Sequence, residues 1–156
     1  MILQRAFPML LSSICLTLVM GCGTFKSALY DQHSYQKAVE IKVDAARLMD
    51  KASEPYSNHT QHAEEVLAEL DKMVIYEANK PNNSISLRMW KILADSDKNL
   101  LAGFIKKWEA DGTLNPILVS EAQSQVAEAF DLLIQYEGKK EKATEDSLIT
   151  LILKKE

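Results

Sequence analysis

Helix-breaking residues divide this chain into segments of helical length, and their spacing constrains the fold more than any other feature of the sequence. These residues are Pro55, Pro81, Gly112, Pro116 and Gly138. Between them, apolar residues recur every three or four positions, as on one face of an amphipathic helix, and β-branched alternation is scarce. The pattern predicts an all-α protein.

Four helices are predicted, and they are joined by connections of a few residues. They span residues 35–52, 56–79, 84–111 and from 116 onward. Short connections between helices favour antiparallel neighbours. We therefore predict an up-down four-helix bundle.

The C-terminal part of the chain allows two interpretations. Residues 138–146 are highly charged, and apolar residues follow between Leu148 and Leu153. Leu148 lies two heptads after Ile134, so a continued fourth helix would bring both residues to the same face. A separate short fifth helix accounts for the same pattern.

Composition argues against several functional classes. The chain has 156 residues, which suits one domain. Its 18 Lys and Arg against 22 Asp and Glu give a net charge of −4, so nucleic-acid binding has no electrostatic support. Two cysteines are too few for a disulfide scaffold or a cysteine zinc module.

The first 22 residues have the organisation of an export signal. Arg5 and the free amino group form a short positive region, and a largely apolar stretch of 15 residues follows at 6–20. That length suits the hydrophobic part of a signal peptide, whereas a membrane-spanning helix needs about 20 apolar residues. The stretch ends in Val19-Met20-Gly21-Cys22.

This tetrapeptide resembles the lipobox of bacterial lipoproteins, which has an aliphatic residue at −3, a small residue at −1 and an invariant cysteine. The resemblance implies cleavage before Cys22, a diacylglycerol thioether on its sulfur and acylation of its new amino group, for instance with palmitate. Gly23 stands where such proteins carry Asp when they stay in the inner membrane, which implies the outer membrane. The resemblance covers about the first two dozen residues, and residues 23–156 resemble no specific family that we recognise.

Three regions follow from this interpretation. They are a signal peptide at 1–21, a lipidated tether at 22–33 and a helical domain at 34–156. Cys15 would leave with the signal peptide and the Cys22 sulfur would carry lipid, so the mature chain would have no free thiol. Two alternatives are an uncleaved membrane anchor, since residues 6–25 carry no charge, and cleavage without lipid.

His59, His62 and Glu65 form a candidate metal site, because they recur every three residues on the predicted second helix. The i, i+4 histidine pair of zinc peptidases is absent, and polar residues are expected where a helix opens. The sequence also lacks a phosphate loop, a nucleophile elbow and a Cys–His pair. We predict that the protein is not an enzyme and holds no metal or cofactor.

Two charged residues fall on predicted apolar faces. Lys42 lies on the apolar face of the first predicted helix, and Asp97 lies near the centre of the apolar face of the third predicted helix. An isolated buried charge is costly, so each needs a partner. We hypothesise that Lys42 and Asp97 pair, or that each bonds a hydroxyl such as that of Tyr76 or Tyr136, and so fix helix register. The alternative is that one helix rotates and exposes its charge.

An aromatic stripe marks the predicted third helix. Trp90, Phe104 and Trp108 recur at helical spacing. The simplest interpretation is core packing, and an exposed stripe would instead be a patch that binds a partner.

Together these features predict a lipid-anchored helical lipoprotein of the bacterial envelope, held in the outer membrane and facing the periplasm. It would act through protein contacts as an accessory or adaptor, with no nucleic-acid partner. One alternative is a module that binds a small ligand in a cavity near Lys42 and Asp97. The others are a metal-dependent enzyme and a self-associating structural protein.

Overall fold

A computed structural model describes residues 29–155, and these residues form helices joined by short turns without any β-strand. The predicted all-α class is confirmed. The helices are α1 (Gln32–Met49), α2 (Thr60–Ala78), α3 (Ser84–Ala94), α4 (Leu101–Asp111), α5 (Pro116–Lys139) and α6 (Lys142–Lys155), with a 3-10 turn at Tyr56–Asn58.

The predicted third helix over residues 84–111 is wrong, because it is interrupted between α3 and α4. The Asp95 carboxylate accepts a hydrogen bond from the Asp97 backbone N–H at 2.8 Å, which forms a local turn. Asp, Asn and Ser side chains compete with helical backbone bonding in this way, and they fill positions 95–97 and 99. Gly103 then lets α4 approach the backbone of this turn closely.

The C-terminal residues form a separate helix, so the fifth-helix alternative is confirmed in place of a continued fourth helix. Helix α5 runs through Gly138, and the break comes at Lys140, whose φ of 51° is left-handed. Helix α6 then packs against α3 and α5.

Contacts between helices show that four of them run antiparallel to their neighbours. Helices α1 and α2 are joined by the pairs Ser34–Glu77 and Lys37–Glu69. The pairs Lys42–Asp131 and Asp50–Gln123 join α1 and the residue after it to α5. Helices α3 and α5 are joined by Ser86–Glu137 and Trp90–Phe130. In each case a later residue on one helix meets an earlier residue on the other. Ser34, Glu77, Ser86 and Glu137 therefore lie at one end of the helical domain.

The aromatic residues of the predicted stripe, Trp90, Phe104 and Trp108, are buried, which confirms that they pack in the core. Trp90 packs edge-on against Phe130 with ring centroids 6.1 Å apart, and Trp108 packs edge-on against Tyr56 at 5.3 Å. The Trp108 indole N–H donates to the Glu54 carbonyl at 3.0 Å. Two backbone bonds of 2.8 Å lie beside Trp108 at the end opposite Ser34 and Glu77: Tyr56 N–H to the Gly112 carbonyl, and Leu114 N–H to the Ala52 carbonyl.

We expect Gly103→Ala to destabilise the protein by about 2–3 kcal/mol or more, because overpacking strains a closely packed site. A Cβ on residue 103 would lie 1.9 Å from the Lys98 carbonyl oxygen, which is backbone and has little freedom to retreat. Urea unfolding followed by circular dichroism measures the change.

Gly138→Ala is the matched control, because it is also a glycine inside a helix. Its added Cβ would meet only the edge of the Tyr35 ring at 3.3 Å. Its free energy of unfolding should stay within about 1 kcal/mol of wild type, since alanine also favours helix. Equal effects of the two substitutions would contradict this account of the α3–α4 turn.

Candidate functional site

The predicted lipidation site, Cys22, lies outside the described residues. The signal peptide and most of the tether lie there too. Within residues 29–155, no helix is both long and apolar enough to cross a membrane.

Lys42 and Asp97 do not pair, and this hypothesis is wrong. Lys42 forms an ion pair with Asp131 of α5, and Asp97 pairs with Lys106 of α4 at 2.8 Å. The Asp97 side chain is 80% exposed because the helix on which it was placed breaks there. The Tyr76 hydroxyl donates to Asp31 instead. The charge of Asp97 is exposed by the break between α3 and α4 rather than by rotation of a helix, and the Lys42 side chain is 30% exposed.

The candidate metal residues also fail to converge. His59 Nε2 lies 2.8 Å from a Glu54 carboxylate oxygen, and its ring lies 5.5 Å from that of Trp108. His62 and Glu65 instead line an open groove between α1 and α2. Among residues 29–155 no group of three or more His, Cys, Asp or Glu side chains is placed to hold a metal ion.

The site that sequence reasoning missed is a buried polar layer at one end of the domain. On four helices the buried stripe carries a polar side chain at this end: Ser34 on α1, Glu77 on α2, Ser86 on α3 and Glu137 on α5. All four are at most 1% exposed. With Lys80, Asn83 and Lys140, which bond to them, these residues are called the polar layer below.

Glu77 is the best-connected residue of the polar layer. Its carboxylate accepts hydrogen bonds from the Ser34 hydroxyl and the Asn83 amide, and Lys80 Nζ lies 3.2 Å from Oε2. Lys80 also donates to the Ser34 hydroxyl oxygen at 2.8 Å. One buried charge therefore joins α1, α2 and the start of α3, and every donor around it has a defined acceptor.

Glu137 repeats this arrangement on the neighbouring pair of helices. Its carboxylate accepts from the Ser86 hydroxyl, and Lys140 Nζ lies 2.7 Å from Oε2. Lys140 also lies over the Tyr136 ring, 4.4 Å from its centroid, and Lys80 lies 5.5 Å from that of Tyr76. Such cation–π contacts add to the ionic attraction where water is scarce.

A short internal repeat in the sequence encodes the two units. Tyr76-Glu77-x-x-Lys80 ends α2 and Tyr136-Glu137-x-x-Lys140 ends α5, and each Glu meets a serine at the third position of the preceding partner helix. The signal was available, because Glu77 and Glu137 continue the apolar stripes of their helices at i+4 from Met73 and Leu133. Both carboxylates lie near helix ends, where polar residues are common, so the pattern does not by itself predict burial.

Asp31 extends the polar layer towards solvent. Its side chain accepts from the His33 backbone N–H at 2.9 Å, which caps α1, and from the Tyr76 hydroxyl at 2.8 Å, and it pairs with Lys80 at 2.9 Å. Burial alone would raise the pKa of Asp31, but the bonds from Lys80, Tyr76 and His33 outweigh it and hold that pKa well below its usual range.

Lys80 is held as a cation between several carboxylates. Burial would lower the pKa of Lys80, but its bond to Asp31 and the charges of Glu77 and Glu137 outweigh burial and raise it. The bond to Asp31 is also the main reason that the pKa of the Tyr76 hydroxyl is raised. The charge of Glu137 contributes to the raised pKa of Lys80, so the second unit acts electrostatically on the first.

The chemistry of the polar layer is that of an internal cross-link. Buried ion pairs add little net stability, but removing one partner leaves an uncompensated charge. Their geometric demands specify how helices align. The layer therefore fixes the relative positions of α1, α2, α3 and α5 at the end where α1 begins.

Comparison with other proteins supplies no family for this arrangement. No known protein family, characterised protein or solved structure matches the chain significantly.

We expect Lys80→Met to lower the free energy of unfolding by roughly 3 kcal/mol, because Glu77 would keep a buried charge without its cation. Lys72→Met is the matched control on the same helix, since Lys72 pairs only with Glu69 at the surface. That control should change stability by at most about 0.5 kcal/mol. Similar losses in the two variants, measured by urea unfolding, would argue against a structural role for the layer.

Asp31→Asn should destabilise the protein at neutral pH, and the effect should shrink in strong acid. Asparagine still caps a helix, so the substitution removes mainly the charge, and we expect a loss of about 1–2 kcal/mol at pH 7. The folded-state pKa of Asp31 is lowered, so its contribution is fully present above the unfolded-state pKa near 3.8 and is lost progressively as pH falls from there through the lower folded-state pKa. Urea unfolding of both proteins from neutral pH to about pH 2 measures the difference, and a difference as large at the acid end as at pH 7 would contradict it.

Proposed function

We propose that the protein is a lipid-anchored helical lipoprotein of the bacterial envelope that acts through protein contacts. The observation that carries this proposal is the apolar stretch ending in Val19-Met20-Gly21-Cys22. In this proposal residues 1–21 are a cleaved signal peptide, Cys22 carries S-diacylglycerol and an N-acyl group such as palmitate, and the domain faces the periplasm from the outer membrane.

The finer architecture belongs to the same proposal. Helices α1, α2, α3 and α5 form an up-down four-helix bundle, with α4 and α6 added at its side. The antiparallel contacts among the four helices and the polar layer that joins their ends support this arrangement. Such a bundle is a rigid support for surface contacts.

The start of the folded domain suits an anchored protein. Helix α1 begins at Gln32, ten residues after Cys22, and ten residues span at most about 35 Å. The tether of residues 22–33 therefore reaches into the capped first turn of α1. A domain held this closely presents its surface within reach of other envelope proteins.

Open grooves between helices favour an adaptor over a small-ligand module. One of them, of about 560 Å³, lies between α1 and α2 and is lined mainly by charged side chains, including Lys37, Glu40, Asp44 and Glu69. The ligand alternative expected a cavity near Lys42 and Asp97, and those residues bond at the surface instead.

Lipidation is tested by metabolic labelling with an alkyne fatty acid in a bacterium with two membranes. We expect wild type to carry the label and to fractionate with outer membranes, and Cys22→Ala to lose both properties. Cys15→Ala is the matched control, because it removes the other cysteine of the chain and should leave the labelling unchanged. Labelling of Cys22→Ala at the wild-type level would refute the anchor.

The adaptor role is tested by crosslinking in intact cells followed by mass spectrometry. We expect a discrete partner with wild type that is lost with Cys22→Ala, because the anchor places the domain beside its partner. If the anchored protein yields no specific crosslink, the adaptor role is wrong and the anchor alone stands.

A further inference from the structure

Exposed apolar and aromatic side chains gather at the end of the domain that holds the polar layer. Leu29 and Tyr30 precede α1, and Ile75 and Tyr76 lie in the last turn of α2. Leu29 is 87% exposed and Ile75 is 65% exposed. These four residues are called the apolar rim below.

The polar layer holds the apolar rim in place. The Tyr76 hydroxyl donates to Asp31, which Lys80 binds in turn, and the Tyr76 ring lies 4.7 Å from the His33 ring. Tyr30 packs against Tyr35 with ring centroids 6.5 Å apart. Ile75 and Tyr76 also line a shallow depression whose other walls include the stems of Lys72 and Lys80.

The chain that precedes the rim leads directly to the proposed lipid. Leu29 lies seven residues after Cys22, and seven residues span at most about 25 Å. An acylated Cys22 would therefore keep the apolar rim within that distance of the phospholipid headgroups. At such a distance the local concentration of membrane surface is high, so even a weak contact becomes populated.

The side chains of the rim have the chemistry of a membrane-interface contact. Tyrosine is enriched at membrane interfaces because its ring is apolar while its hydroxyl stays in water, and aliphatic side chains such as those of Leu29 and Ile75 gain from leaving water. Lys72 lies beside Ile75 in the same depression, and its side chain is 68% exposed, so its stem can cover apolar surface while its charged end reaches a phosphate group.

We propose that the apolar rim docks on the headgroup layer of the membrane, so that the domain stands with its polar-layer end against the lipid. This inference rests on the proposed lipidation of Cys22. The opposite end of the domain then points away from the membrane. Ile117, at the start of α5, lies 20 residues before Glu137, which is about 30 Å along the helix.

The test compares two exposed isoleucines at opposite ends. Ile75→Cys and Ile117→Cys are each made in the full chain, matured in bacteria, labelled with a nitrobenzoxadiazole maleimide and reconstituted into vesicles of phosphatidylethanolamine and phosphatidylglycerol. The two positions are matched, because Ile75 is 65% and Ile117 is 70% exposed. A lipidated Cys22 leaves the introduced cysteine as the only expected thiol, and unsubstituted protein is the labelling blank.

We expect blue-shifted emission from position 75 that nitroxide-labelled lipid quenches, and water-like emission without quenching from position 117. Water-like emission from both positions, or equal quenching of both, overturns the proposal. A blue shift at position 75 without lipid quenching also overturns it, because another protein or a second copy of the chain would then cover the rim.

The blank separates this proposal from the one on which it rests. If unsubstituted protein takes up label and leaves the membrane fraction, Cys22 is not lipidated and both proposals fail. If it stays unlabelled and bound to membranes while position 75 gives water-like emission, the anchor stands and only the docking of the rim is wrong.

Discussion

The buried carboxylate of Glu77 is the constraint on which the arrangement of the helices depends. A charge withdrawn from water must be matched by donors at defined positions, and here Ser34, Lys80 and Asn83 supply them from three parts of the chain. Apolar side chains in the layers beyond could slide past one another at modest cost. The carboxylate has no such freedom, because a shift of one helical turn between α1 and α2 would separate it from the Ser34 hydroxyl.

The second unit extends this constraint across the domain. Ser86 and Glu137 repeat the pairing on α3 and α5, and Lys80 is influenced by the carboxylates of both units. At this end of the domain, α1 and α3 each supply a serine hydroxyl, and α2 and α5 each supply a carboxylate. Lys80 and Lys140 pair with the two carboxylates. Since buried ion pairs add little net stability, we expect their value here to be specificity, because each buried carboxylate meets its serine and its lysine in this alignment of the helices.

The sequence predicted the helical class and the helix ends beside Pro81, Gly112 and Pro116, because proline and glycine act locally. The first helix was predicted at 35–52 but spans Gln32–Met49, and the second was predicted from residue 56 but begins at Thr60, after the 3-10 turn. It failed where helical continuity was assumed. Asp97 was predicted to lie on an apolar face because residues 84–111 were treated as one helix. The turn at Asp95 ends that helix before Asp97 is reached. The polar layer could have been found, since Glu77 and Glu137 interrupt otherwise apolar stripes within the same Tyr-Glu-x-x-Lys sequence pattern. Which serine meets which carboxylate depends on helix packing, which no local pattern specifies.

The two ends of the domain are closed by different chemistry. One end is held by ion pairs and by hydrogen bonds to carboxylates, with Asp31 at its edge towards solvent. The other is held by backbone bonds and by the Trp108 indole, none of which changes charge between neutral and acid pH. The stability of the two ends therefore depends differently on pH. In strong acid, protonation of Asp31 would weaken the contacts of the start of α1 with Tyr76 and Lys80, whereas the backbone bonds at the far end would keep their strength.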